Sequence, residues 1–372
     1  MTINKNLEKL FSLSYEIQKI QPWNIIDDTK IFAVCFPIDN ETSYITISGK
    51  NDEFCEVNIF HGNDGLNNLY DLYNEVPEID FYRNLNGFSI YFEQAKELYD
   101  NDIFLLDEYG YFDNKEVLKI KFEKYIPGYL PEIPKEDKYI EKIITILMQF
   151  IELYNEFKAT NNILNINNEK ILTRKFINNE WITVKENIND AHLFDVLDVN
   201  PFDVRRLMRN LEKIDNTWEM DIFYSPNTIR DENDKSLYYP LVFILADLDE
   251  TRIIQYTLID HRNSNILNNY FDFLFDAYNN NGNYPTKINI KSNKLYYGFE
   301  DIFKAMKIKI EFVDFLEIID DFKENMYLDK SNYDIEVLEE KLLALLESGE
   351  IKENDIDDDF INELLNNLDL NE

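Results

Sequence analysis

Tyr239-Pro240-Leu241-Val242-Phe243-Ile244-Leu245-Ala246-Asp247 decides the fold of the second half of this chain. Six consecutive apolar residues between a proline and an aspartate are too few for a typical helix. They predict a strand over Tyr239 to Asp247. Asp249-Glu250 marks a turn, and Arg252 to Ile259 predicts a strand folding back antiparallel. Upstream, Trp218 to Tyr224 predicts another strand. Downstream, a helix is expected over 265–280 with Gly282 ending it, then a strand at 287–291, a helix at 295–306, a strand at 308–313 and a helix at 315–325. The order is β-β-β-α-β-α-β-α: three antiparallel strands, then helices alternating with strands expected to be parallel. This defines an α/β domain over 214–330.

The first half reads as an α+β domain over 1–160. Ile3, Leu7, Leu10, Phe11, Ser14 and Ile17 share one helical face, and Pro22-Trp23 ends that helix. Strands follow near 31–36, 43–48 and 54–60, with turns at Asp39-Asn40 and Asn51-Asp52. A helix then runs to about Val76, strands lie near 88–93 and 118–123, and a helix covers 136–158. Residues 161–213 read as a connector. It holds a hairpin of 171–177 with 181–185 turning at Asn178-Asn179, and a short helix from Pro201 to Lys213. The tail, 331–372, carries 14 acidic and 2 basic residues, with leucine-rich helical patterns around Leu338 and Leu342 and around Leu364 and Leu365.

Composition narrows the function. The chain has 37 basic and 72 acidic residues, a net charge of −35, and so disfavours the phosphate backbone of nucleic acid. Only 9 glycines argue against glycine-rich phosphate loops. With Cys35 and Cys55 alone and histidines scattered at 61, 192 and 261, no Cys/His zinc module of usual spacing is present. Two reduced thiols are the expectation, although neighbouring strands would permit a bridge. No run of 18 apolar residues occurs, and the N-terminus lacks a signal-peptide pattern, so the cytoplasm is the expected address.

Each candidate site has a structural alternative. Asp247 and Asp249 close the strongest apolar strand; they either face a pocket or open a hairpin turn. His61-Gly62-Asn63-Asp64-Gly65 is an anion-binding nest or a strand-to-helix turn. His192 and His261 lack a nearby nucleophile motif. Arg205 and Arg209, with Arg206, form a basic cluster that either grips an acidic group or pairs with the abundant carboxylates. Leu364 and Leu365 either dock into a partner's groove or fold back on their own domain. Trp23, Phe60, Tyr125 and Tyr129 are aromatic candidates for a small-molecule site.

Two resemblances add to this. Pro22-Trp23, Tyr44 to Gly49, Ile59 to Leu66, the Pro127-Gly128-Tyr129-Leu130-Pro131 segment, and Tyr239 to Asp247 with Tyr284-Pro285 resemble a bacterial two-domain family. That family pairs domains of unknown function and implies no activity. The second half resembles a degenerate ribonuclease-H-like fold, most like the integrase-transposase core. Trp218-Glu219-Met220-Asp221 is similar to the first integrase strand, which makes Asp221 the implied first metal ligand. The implied second carboxylate falls in Ile290-Lys291-Ser292-Asn293, where Ser292 or Asn293 supplies no anion. The last helix offers Glu317, Asp320, Asp321 and Glu324 without a distinctive motif. Paired Mg²⁺ or Mn²⁺ needs several anionic oxygens, so the resemblance implies a shared fold with the reaction lost.

The expected function is a non-catalytic protein-interaction module, an adaptor or inhibitor that meets a basic partner protein with its acidic surface, in part by mimicking nucleic acid. The alternative is a metal-dependent nuclease using Asp221 with Asp247, Glu311 or Asp314, loaded with Mg²⁺ or Mn²⁺. A small-molecule binding module is the third reading.

Overall fold

The computed structural model describes residues 4–36, 41–50, 55–73, 78–112, 118–160, 170–187, 194–231, 236–260, 262 and 265–328. The turns at 39–40 and 51–52, His192, His261 and the acidic tail with Leu364 and Leu365 lie outside them. The chain divides into two compact units, Met1–Leu193 and Phe194–Glu372. The division falls inside the stretch read from sequence as a connector.

The first unit opens with α1 (Lys5–Ile20), whose first turn is capped by the Asn4 side chain accepting from the amides of Asn6 and Leu7. Five antiparallel neighbours follow: β1 (Phe32–Cys35), β2 (Thr42–Ser48), β3 (Cys55–His61), β4 (Gly87–Glu93) and β5 (Lys119–Tyr125). Helices α2 (Gly62–Tyr73), α3 (Glu78–Asn84) and α4 (Asp100–Glu108) interrupt them, and α5 (Asp137–Thr160) follows. Of these, α3 and α4 were not expected; with 7 and 9 residues they are too short to display a helical period.

The hairpin assigned to a connector belongs to this sheet. It comprises β6 (Ile171–Ile177) and β7 (Glu180–Glu186), and the strand order is β5-β4-β3-β2-β1-β6-β7. Asn178 and Asn179 both have positive φ, as a two-residue type I′ turn requires. Burial holds the hairpin in place: Leu172 is buried, and Arg174 bonds to Gln149 and Glu152 of α5. β6 runs parallel to β1, with Phe32 opposite Leu172. Cys35 and Cys55 stand on β1 and β3, which are separated by β2. Two strand spacings are about 10 Å, beyond disulfide reach.

The second unit begins with α6 (Pro201–Leu207) and a single 3₁₀ turn to Asn210, shorter than the helix expected to Lys213, because the next strand starts at Glu212. Its sheet has the order β12-β11-β8-β13-β14. Here β8 is Glu212–Tyr224, β11 Leu241–Asp247, β12 Arg252–Ile259, β13 Asn283–Ile290 and β14 Lys309–Phe312. A small ladder, β9 (Ile229–Arg230) with β10 (Leu237–Tyr238), was not expected. β8, β11 and β12 are antiparallel, whereas β13 runs parallel to β8 and to β14. Every residue of β11 is buried. One face packs Trp218, Met220, Phe243 and Ile290 against α7 (Ile266–Asn281) and α8 (Asn293–Met306). On the other face, Phe223, Val242, Ile244 and Ala246 meet Leu316 and Ile319 at the start of α9, which covers 317–328.

Close backbone approach sets the turn after β3. A Cβ on Gly65 would lie 2.5 Å from the carbonyl carbon of Phe60, so α2 leaves the strand along a path only glycine permits. Gly65→Ala is expected to cost about 1–3 kcal/mol, as overpacking does elsewhere. Urea unfolding would show this as a lower midpoint; an unchanged midpoint would mean that the turn relaxes freely.

Candidate functional site

Strand alternation puts Glu219, Asp221 and Phe223 of β8 on the α9 face of the sheet. Both carboxylate residues are buried, and each is matched in a different way. Glu219 closes the N-terminus of α9. Its Oε1 accepts from the amide of Glu317 at 2.7 Å, and Oε2 accepts from Ile318 and Ile319 at 2.9 and 3.1 Å. These are amides that no helical carbonyl can reach. Burial pushes the Glu219 carboxyl up from its ordinary range, while the three amides pull it back.

Asp221 sits two residues on. Among the described residues it has no cation within ion-pair distance. Burial pushes its pKa up to about 6, against the longer-range pull of Lys323 and Lys291. Lys291 follows β13 directly, and its Nζ lies 2.9 Å from Oδ1 of Asp320 on α9. The other oxygen of Asp320 accepts from the Leu316 amide at 2.9 Å. Lys323, one turn further along α9, lies 5.2 Å from the centre of the Phe223 ring. Asn289, level with Glu219 across the parallel pair, places a neutral amide beside them.

The cluster is therefore two aspartates facing two lysines. The sequence reading tested Ser292 and Asn293 for a second carboxylate; the side chain that reaches the site is Lys291. Ser292 instead caps α8, its hydroxyl accepting from the amide of Leu295. Glu219 was also missed, although its i, i+2 spacing from Asp221 was a signal for a shared face. The donor set does not suit a divalent metal pair. Glu219 is turned to backbone amides, Asp320 is held by an ammonium, and among the described residues no three His, Cys, Asp or Glu side chains converge to hold an ion.

The other candidates are dispersed. Asp247 is buried at the hairpin and accepts from Asn216, the Trp218 indole and the Glu250 amide, as a turn residue does. Asp249 accepts from the Thr217 amide. Glu311 lies at the surface between Lys287 and Lys309, and Asp314 is exposed. Arg205 and Arg209 are exposed, and among the described residues neither has a carboxylate within ion-pair distance. Trp23 packs on the α1/α5 face of the first sheet, whereas Phe60 and Tyr125 belong to the opposite face, so the aromatic candidates do not form one pocket.

His61 is held in the interior of the first unit. Ser43 Oγ lies 3.0 Å from its Nδ1, and Tyr139 OH lies 3.1 Å from Nε2 while donating to the Gly87 carbonyl. Burial, helped by Lys142, pushes its pKa down to about 3. Ser43 is fully buried. Beside the same turn, the Glu41 carboxylate lies near Gly62, which disfavours an anion in the loop.

Residues 8–174 match the model of a family described as Domain of unknown function (DUF7309). Residues 203–327 match another, Domain of unknown function (DUF6930). The chain thus joins two domains of unknown function, as the first resemblance implied. Two solved structures of the HTLV-2 integrase catalytic core domain in complex with magnesium are slightly similar. The dimeric form shares 15% identity over 41% of this chain and 83% of that one, with a TM-score of 0.21. The trimeric form shares 12% over 42% and 82%, also at 0.21. No curated protein matches the sequence. Among the described residues, no helix is long and apolar enough to cross a membrane.

Removing the Glu219 carboxylate leaves three amides without their acceptor. Glu219→Ala is expected to cost about 3 kcal/mol and to raise hydrogen exchange across 316–328, read by mass spectrometry. Unchanged exchange there would rule out the cap. Asp221 gives a pH signature. Between its ordinary value near 3.8 and its folded value of about 6, the folded state holds a proton that the unfolded chain has lost. Stability should therefore rise by up to about 3 kcal/mol as pH falls from 6 to 4. Subtracting the urea midpoints of Asp221→Asn isolates this contribution, and parallel pH profiles for the two proteins would contradict it.

Proposed function

We propose that this chain is a non-catalytic protein-interaction module, an adaptor or inhibitor whose acidic surface engages a partner protein with a basic surface. In this reading the second unit is a ribonuclease-H-like core whose reaction is lost. The observation that carries it is the contact of 2.9 Å between Lys291 and Asp320, beside the buried Asp221. An ammonium there, paired with Asp320, supplies positive charge where a metal would bring it, with none of its Lewis acidity. Three antiparallel strands followed by two parallel ones, in the order β12-β11-β8-β13-β14, support the fold assignment. The net charge of −35 supports a basic protein partner over nucleic acid, and an address in the cytoplasm belongs to the same reading.

The alternative, a nuclease, draws on the central buried position of Asp221 alone. The two separate in a metal titration. Wild type is expected to bind no Mn²⁺ at millimolar concentration by calorimetry, whereas Lys291→Asp, which replaces the ammonium by a carboxylate, should acquire measurable binding. Mn²⁺ binding or cleavage of labelled DNA, RNA or hybrid by wild type, lost in Asp221→Ala, would overturn the non-catalytic reading. The interaction half predicts a protein partner retained at low salt and released as ionic strength rises.

A further inference from the structure

Among the described residues the two larger sheets have four edge strands, β5 and β7 in the first unit and β12 and β14 in the second. An edge presents backbone amides and carbonyls open to any further strand, and charged side chains commonly guard it. β5 carries Lys119, Lys121, Glu123 and Lys124, and Glu132 bridges to its end. β7 carries Glu180, Lys185 and Glu186, and β14 carries Lys309 and Glu311. β12 differs. After Arg252 it runs Ile253-Ile254-Gln255-Tyr256-Thr257-Leu258-Ile259, with no charge and no proline. Among the described residues it pairs with β11 alone, and its backbone makes no other hydrogen bond.

The side chains of β12 select an occupant for this edge. Tyr256 and Leu258 stand opposite Ile244 and Val242, on the α9 face, yet are 54% and 51% exposed. The Tyr256 ring lies 5.2 Å from that of Phe322 on α9. Two such residues at i and i+2 are self-complementary across a two-fold axis. When two copies of β12 pair antiparallel about Thr257, Tyr256 of each lies opposite Leu258 of the other, and Gln255 opposite Ile259. A pairing centred on Tyr256 would instead set Leu258 against Ile254, which the register shift opposite Leu245 and Ala246 turns to the α7/α8 side. Charge agrees with the antiparallel sense. Arg252 opens the strand and Asp260 follows it, so each copy brings its cation towards the other's anion.

We infer that β12 is a self-association edge, through which two copies of the chain join their five-stranded sheets into one continuous sheet about a two-fold axis at Thr257. Repulsion between two chains of net charge −35 opposes the contact, and salt screens it. Dimerisation therefore strengthens as ionic strength rises, opposite to the salt release expected of a basic partner.

The test is sedimentation equilibrium of the full-length chain, whose single-copy mass is 44.6 kDa. Twice that mass is expected at about 100 μM protein and about 0.5 M salt, with weaker association at about 0.05 M. Tyr256→Lys with Leu258→Lys should weaken the dimer about tenfold or more, with the urea midpoint kept because both side chains are exposed. A charge swap reads the register and decides the matter should the double variant fail to fold. Mixing Tyr256→Lys with Leu258→Glu sets the introduced ammonium of one copy against the introduced carboxylate of the other, so the mixed dimer should form better than either variant's own. A single-copy mass at high salt, a folded double variant that dimerises like wild type, or a mixture no better than its components would each overturn the proposal.

Discussion

A carboxylate on the central strand of a covered sheet must be neutralised where it stands. β8 lies between β11 and β13 and carries two of them, Glu219 and Asp221, on one face. Taking a bare carboxylate out of water costs more than the whole stability of a typical domain. The second unit meets this with the amides of α9 for Glu219; for Asp221 it offers the Ile222 amide, the longer-range pull of Lys323 and Lys291, and a carboxyl that burial makes easier to protonate. That solution fixes the chain elsewhere. α9 must begin directly over Glu219, and β13 must deliver Lys291 level with Asp221 and within reach of Asp320. The apolar contacts of Leu316 and Ile319 with Val242 and Ile244 follow from where the helix is then held.

Much of this architecture was legible in the sequence, and the parts that were not share a cause. The apolar run of β11, the turn after it and the helix stopped by Gly282 have local signatures, and they fall within a few residues of their expected places. A lysine after a strand carries no local sign of its role, unlike a carboxylate at a metal-site position, and Lys291 is such a lysine. Whether a lysine points into a site or into water depends on what stands opposite, here Asp320 some 29 residues later. The hairpin was misplaced for the same reason. β6 pairs with β1 in parallel across about 140 residues of chain, and parallel pairing leaves no turn to announce it.

The first unit holds a reactive-looking set whose hydrogen bonds are all made inside the protein. Ser43, His61 and Tyr139 form a chain of hydrogen bonds like those that activate nucleophiles. Tyr139 spends its proton on the Gly87 carbonyl, so the histidine presents its Nε2 hydrogen to the tyrosine and accepts from the serine. Every polar atom of the set is thereby occupied inside the protein. The low pKa of His61, about 3, reflects an imidazole kept neutral to hold β2, β3 and α5 together.

The parallel pairing of β1 with β6 also bears on synthesis. As the chain leaves the ribosome, β1 to β5 can assemble their meander early, but the outer side of β1 stays bare until residues beyond 171 have emerged. Until then a row of unsatisfied amides and carbonyls is open to any strand nearby. A fragment ending at 160 would carry that open edge permanently. It would tend to self-associate through β1, although it retains all of α1 and α5.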